Sequence, residues 1–337
     1  MGKNSLAVAM AFAGAVIGAG FATGREVVDF FTRFGRGGLG GVLLATLLFT
    51  WVGVVILQVT LSHPVYSYAD LLRVLLPWKW LVFLMDQVFM VTLLAGVGVM
   101  TAAGATVLGG WGPGYPLGCL GFLALSALLL RTGGKGFLRA NCWLVPGMAL
   151  LIAALCLVQI AVPALGMAAR GPFSSALLYV SFNTAIAGVA LSTLKEQLDR
   201  KTALLGGGLG GLMVGLLLLL IYGATRGLAA GEIPLLSLAQ VWLGKWQWLY
   251  ALVLLAAVLT TALANIHGLA SRMADGLGYW PTVFGTSVLG FAIAQGGFAR
   301  LVRVLYPLLG LGNVVLLAGL CYYSFRNLKI TGGNRWF

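Results

Sequence analysis

The chain is poor in charge: Asp, Glu, Lys and Arg make up 9% of 337 residues, where a soluble domain carries about 25%. Acidic residues are scarcer still, 8 against 21 Lys and Arg, and there are 2 histidines. That scarcity excludes an ordinary soluble fold, and a 60% hydrophobic composition with mean hydropathy +1.00 points to a multi-pass membrane protein. The basic excess does not mark a nucleic-acid binder, because the bases are scattered singly among apolar stretches, a pattern that fits membrane topology. Cys119, Cys142, Cys156 and Cys321 form no CxxC pair and read as packing residues. There is no GxxxxGK[ST] loop and no cluster with metal-ligand spacing, and neither histidine accompanies a nucleophile motif. The sequence therefore predicts neither an enzyme nor a nucleotide-powered pump, and calls for no cofactor and no obligatory protein partner.

What the chain does have is long apolar runs, separated by charge or by glycine and proline. They predict ten spans at 5–34, 38–62, 80–108, 114–131, 136–165, 173–198, 202–227, 246–274, 280–297 and 301–326. Tyr66 to Leu76 and Leu235 to Leu243 read as short amphipathic surface helices. The opening MGKNSLAVAMAFAGA resembles a signal peptide, but its apolar character continues through GAVIGAGFA, so it is expected to remain as the first helix. Lys3 and most of the other bases then fall on the cytoplasmic side, and both termini are expected there.

The first span is interrupted. AGAVIGAGFATGRE, residues 13–26, carries Gly14, Gly18, Gly20 and Gly24, each costing a helix interior about 1 kcal/mol relative to alanine. Arg25, Glu26 and Asp29 follow where a span should be apolar. A hydrophobic segment built to unwind at its centre is a pointer to a transporter's binding site. The pattern recurs loosely in the second half of the chain. IGAG trailing to Arg25-Glu26 is echoed by IAG trailing to Lys195-Glu196, and GLGG at 38–41 recurs at 208–211; both echoes lie 170 residues apart (18 to 188, 38 to 208). Five spans per half would invert the second half relative to the first, giving an inverted repeat with residues 1–168 as one unit, 169–327 as the other, and 328–337 as a cytoplasmic tail. The repeat predicts a second break in the sixth span, where YVSFNTAIAG puts Ser181, Asn183 and Thr184 at mid-membrane.

These residues resemble the amino acid–polyamine–organocation superfamily, whose members share the five-plus-five inverted repeat of the LeuT fold. GAVIGAGF is similar to its first-helix motif, AAVLTTALANIHGLASRMADGLG (256–278) is similar to its eighth helix, and GAGFATGRE resembles a group of small, mostly uncharacterised bacterial permeases. The resemblance implies an all-α protein of the bacterial inner membrane with ten transmembrane helices, helices 1 and 6 discontinuous, that moves a small molecule by alternating access. Carried over by position, it implies a sodium site from the carbonyls of Gly14, Ile17 and Ala257 and the hydroxyls of Thr260 and Thr261. Helix 5 lacks the lysine that replaces the ion in proton-coupled relatives.

Substrate recognition is expected at both breaks. The amides of Gly18, Ala19, Gly20 and Phe21 would face a carboxylate. Groups around Ser181, Asn183 and Thr184 would accept an ammonium, with Phe21 and Phe182 as apolar walls. The expected function is sodium-coupled symport of a small amino acid or related amine. Two alternatives stand beside it: proton coupling or exchange through Asp86 or Glu26, and a ligand-binding membrane receptor or subunit that transports nothing. Asp86 either relays protons or pairs with Lys79, and His267 either titrates or packs. Glu26 and Asp29 either attract a cationic amine or pair with nearby arginines. At the inner end, Asp275 matches a position that would pair with Lys3. At the outer end, the family's arginine–acid pair would have to be reversed, Arg300 or Arg303 of helix 10 meeting Glu26 or Asp29.

Overall fold

The computed structural model describes residues 3–110, 112, 114–131, 135–160, 171–226 and 231–331. The expected boundary between repeats at 168 and 169 lies outside them, as does the tail from 332 onward. Every element among the described residues is helical. In chain order they are α1 (Lys3–Val16), α2 (Ala19–Thr23), α3 (Arg25–Phe30), α4 (Gly38–Ser62), α5 (Tyr68–Leu75), α6 (Lys79–Gly109), α7 (Tyr115–Arg131), α8 (Lys135–Ile160), α9 (Pro172–Ser192), α10 (Arg200–Thr225), α11 (Pro234–Leu243), α12 (Gln247–Arg272), α13 (Ala274–Leu277), α14 (Tyr279–Ala294) and α15 (Phe298–Thr331). Among the described residues, six stretches are long and apolar enough to cross a membrane by length and composition: Thr32–Ser62, Lys79–Gly109, Pro172–Ser192, Arg200–Thr225, Pro234–Arg272 and Phe298–Arg326.

Lipid is a poor partner for the backbone, so these segments close their hydrogen bonds internally as helices. Their outward faces carry exposed Leu43, Leu47, Leu216, Phe284 and Leu311, side chains that water would disfavour and acyl chains accept. Trp78 and Trp80 at the start of α6, and Trp246 and Trp248 at the start of α12, are exposed at helix ends, where amphipathic rings suit a membrane–water boundary. The two surface helices occur close to where the sequence places them, as α5 and α11. The Ser67 hydroxyl caps α5 by accepting from the Asp70 amide at 3.2 Å, which explains its start.

Apolar side chains alone do not hold helices together in lipid, so close backbone approach becomes important. The central example is α4 against α10. A Cβ on Gly207 would lie 2.5 Å from the Val54 amide nitrogen, one on Gly211 2.4 Å from Thr50 Cα, and one on Gly215 2.2 Å from Thr46 Cγ2. The spacing of four residues puts all three on one stripe of α10, and on the facing helix Gly53 meets the Gly207 carbonyl, its own Cβ position lying 2.9 Å from that oxygen. Helix α10 also packs along α1, and α4 along α9, so this pair positions both helices expected to carry the site.

One expectation is overturned here. The sixth span has no break at Ser181 to Gly188, because α9 runs as uninterrupted helix from Pro172 to Ser192. The polar residues that suggest unwinding are instead accommodated within the helix. Asn183 Nδ2 donates to the Tyr179 carbonyl at 2.9 Å and Thr184 Oγ1 to the Val180 carbonyl at 2.7 Å. Such bonding to the preceding turn satisfies a side chain without freeing the backbone. The helix stops only at Thr193, before a short 3-10 turn at Lys195–Gln197.

The α4–α10 contact makes a direct prediction. Gly211→Ala forces the Thr50 backbone aside and is expected to cost about 1–3 kcal/mol, the usual range for overpacking. Gly208→Ala, whose new methyl meets nothing within 4 Å, is expected to leave the melting temperature unchanged or slightly higher. Thermal unfolding of the two variants in detergent makes the comparison.

Candidate functional site

The expected break in the first span is present. Helix α1 stops at Val16, and the Gly18 N–H bonds to the Val16 carbonyl at 2.9 Å, away from the Gly14 carbonyl that a continuous helix would use. Gly18 is extended, with φ −101° and ψ −156°, and caps the five-residue α2 without a side-chain hydrogen bond. Gly24 ends that turn at φ 72°, a left-handed geometry that favours glycine, and α3 starts directly after it. Two joints therefore flank α2: one exposes carbonyls at the end of α1, and the other redirects the chain.

The break opens onto a cavity of about 410 Å³. Its lining contains Gly14, Ile17, Ala257, Thr260 and Thr261, the whole oxygen set expected for sodium, together with Gly18, Ala19, Gly20, Phe182 and Asn183. Helix α12 brings its threonines against the break, and Thr261 Oγ1 lies 3.6 Å from where a Cβ on Gly18 would be. Thr260 and Thr261 hydroxyls both donate to the Ala257 carbonyl, at 2.9 and 3.0 Å, which leaves their oxygen lone pairs available. Three expected substrate residues do not line the cavity. Phe21 is fully buried in the core, Ser181 is buried with no hydrogen-bond partner for its hydroxyl among the described residues, and Thr184 is bonded to its own helix.

The sequence alone does not assign several other residues to the pocket: Thr92 and Gly96 of α6, Asn265 of α12, Tyr306 of α15 and, above all, Glu26. Glu26 reads in sequence as lying outward of the site. The left-handed turn at Gly24 instead folds its carboxyl back onto Gly20, where a Cβ would lie only 1.7 Å from Glu26 Oε1. Glu26 is 5% exposed, and Tyr179 of α9 donates to its Oε2 at 3.1 Å. A glycine shortly before a glutamate is the available signal, but the intervening turn geometry is needed to interpret it.

The cavity is one-sided. It extends from the break along Phe89 and Thr92 of α6, Ile186 and Ala190 of α9, and Ala264 and Gly268 of α12, toward the end of the bundle where α6 begins and α9 and α12 finish. The other end is tied across by polar contacts. Arg25 is 2% exposed and reaches both oxygens of Asp29, through Nε at 2.8 Å and Nη2 at 3.2 Å, while its Nη1 donates to the Gly231 carbonyl at 3.0 Å. Arg303 of α15 meets Asp29 at 3.4 Å, the reversed pairing expected from the sequence; Arg300 takes no part in it. Tyr250 of α12 adds a bond to the Ala22 carbonyl at 2.7 Å.

The remaining charged candidates lie away from the cavity lining. Asp86 is 19% exposed and is paired with Arg272 of α12, not with Lys79. His267 Nδ1 is 2.9 Å from the Tyr279 hydroxyl of α14, at an exposed position. The side chains of Lys3 and Asp275, expected to pair at the inner end, lie outside the described residues.

No model of a known protein family matches the chain. Two curated proteins of Bacillus subtilis (strain 168) are each 25% identical to it: the uncharacterised membrane protein YkvI, over 93% of this chain and 94% of that one, and the uncharacterised protein YyaD, over 92% and 94%. Among solved structures, Mhp1, a nucleobase-cation-symport-1 family transporter in a closed conformation with bromovinylhydantoin bound, aligns with a TM-score of 0.65. The alignment has 16% identity and covers 90% of this chain and 74% of Mhp1. A manganese transporter of Eremococcus coleocola, in a mutant form, aligns at 0.51 with 17% identity, over 95% and 72%. The fold is similar to that of Mhp1. This chain is thus a multi-pass helical membrane protein.

The contact between Gly20 and Glu26 can be tested by a double-mutant cycle. Gly20→Ala must displace the carboxyl, the far end of a flexible side chain held by Tyr179, and is expected to lower stability by about 1 kcal/mol, the low end of the range for overpacking. In a Glu26→Ala background the same change should cost much less, and thermal unfolding of the four proteins reads the coupling directly.

Proposed function

We propose that the protein is a secondary transporter that carries a small amine-bearing molecule through the cavity by alternating access, coupled to sodium. The observation that carries this reading is the meeting of the interrupted first helix with Thr260 and Thr261 at one cavity. Two hydroxyls and the carbonyls of Gly14 and Ile17 would supply neutral oxygens that suit a hard monovalent cation, where discontinuous helices commonly bind ions. The Ala257 carbonyl would join them once released by the two hydroxyls it now accepts from. The cavity volume lies within the range usual for small-molecule sites.

Manganese, which the neighbouring structure's description names, is a poorer fit. Among the described residues no three of His, Cys, Asp and Glu converge, and Glu26 is the sole carboxylate in the lining. The arrangement of polar ties at one end and open lining at the other supports an inward-facing state, with Asp29, Arg25 and Arg303 as the outer closure. Packing of α1 on α10 and of α9 on α4 has the exchanged form expected of two repeats of five helices each, and this supports the ten-helix, inverted-repeat reading, while the distribution of Lys and Arg supports cytoplasmic termini.

A second reading, proton coupling, is favoured by one observation: the buried Glu26 carboxyl at the break. Asp86, engaged by Arg272 outside the cavity lining, is a weaker candidate for that role.

Uptake into proteoliposomes with sodium and proton gradients imposed separately divides the two. Sodium alone is expected to drive uptake, and Thr260→Ala with Thr261→Ala is expected to raise the sodium requirement at least about tenfold, the loss of roughly 1.4 kcal/mol of ion binding. Uptake that ignored sodium and survived both substitutions would remove the ion site from the mechanism. Absence of counterflow for any bound compound would point to a receptor.

A further inference from the structure

The sequence leads one to expect a substrate carboxylate at the amides of Gly18 to Phe21, but a carboxyl group of the protein already lies there. Glu26 Oε1 approaches the vacant Cβ position of Gly20 to 1.7 Å, so the side chain is packed directly on the first turn of α2. Among the described residues, no cation of the protein accompanies it into the cavity. Arg25, its chain neighbour, gives its guanidinium to Asp29 and the Gly231 carbonyl, and the described lining contains no lysine, arginine or histidine. The hydrogen bond Glu26 receives comes from a neutral phenol, Tyr179. A buried carboxylate without a counter-ion is costly, and a second carboxylate brought beside it would be repelled in a medium of low dielectric.

The surrounding walls suit an ammonium that bears an organic group. Phe182 and Tyr306 stack at 4.4 Å between ring centroids and both line the cavity, as does Phe89. Aromatic faces attract ammonium groups. The volume of about 410 Å³ is far more than a bare metal ion or a proton carrier requires, and the rest of the lining is largely Gly, Ala, Val, Ile and Met. Charge at one end and apolar surface beyond it describe the complement of a small alkyl or aralkyl ammonium ion.

We infer that the substrate is an organic cation whose ammonium group is held by Glu26, and that it carries no free carboxylate beside that group. This deepens the transporter reading and rests on the cavity being the substrate site. Deleting only the carboxylate from a ligand tests it: the matched pairs are leucine against isoamylamine and phenylalanine against phenethylamine. Binding to the purified full-length protein is measured by calorimetry and by thermal shift, in sodium buffer. The amines are expected to bind at least about tenfold more tightly than the corresponding amino acids. Glu26→Gln, nearly isosteric and neutral, is expected to erase that preference.

Equal or tighter binding of the amino acids overturns the inference, and so does a folded Glu26→Gln protein that keeps its preference for amines. If the variant does not fold, the matched pairs on the unaltered protein still decide. No binding of either amine, with uptake driven by protons and lost in Glu26→Gln, would assign the carboxyl to proton transfer and also overturns the inference. Counterflow of labelled phenethylamine separates the two layers of argument. Glu26-dependent binding without counterflow sinks the transporter and leaves the cation site standing, whereas counterflow of leucine but not isoamylamine does the reverse.

Discussion

The structure depends on a constraint that lipid imposes on the backbone: every amide and carbonyl inside the membrane needs a partner within the protein. Helices α4, α6 and α10 meet it by being continuous, and the site exists because α1 does not. At Gly18 the ladder slips, the Gly14 carbonyl loses its regular donor, and the following amides begin a new turn without a side-chain cap. Such groups are tolerable only when enclosed, and here α6, α9, α12 and α15 enclose them around a cavity. The polar groups that the break presents to the cavity are thus the same groups that make the break expensive, and the bundle around them offsets that cost.

Close packing of glycine serves two separate purposes. On α10 it draws helices together: the stripe of Gly207, Gly211 and Gly215 fixes how closely α4 can lie, and Gly206 and Gly210 do the same for α1. In the first span it makes room for a functional group, because the missing side chain of Gly20 is what lets the Glu26 carboxyl lie against α2. The same residue type therefore builds the scaffold in one helix and seats a charge in another. Composition alone does not distinguish these uses.

That difference explains how much is legible in the sequence. The six long apolar stretches follow from hydropathy, because the requirement is local and each run of apolar residues satisfies it on its own. The break at Gly18 is visible for a similar reason, since several glycines within a few residues weaken one helix wherever it lies. The reversed closure between Asp29 and Arg303 is readable from the absence of any acid at the start of the last long helix. The expected second break fails because Asn183 and Thr184 have two ways to be satisfied, and bonding to the preceding turn leaves no trace in a sequence. The place of Glu26 is hidden because a single left-handed residue, Gly24, reverses its direction.

The joints on either side of α2 have a mechanical meaning. A turn of five residues between an extended glycine and a left-handed one resembles a link between two swivels, while α9 beside it is an unbroken rod tied to the link through Tyr179 and Glu26. The first span is thus jointed where its neighbour is straight, and the charged group touches both.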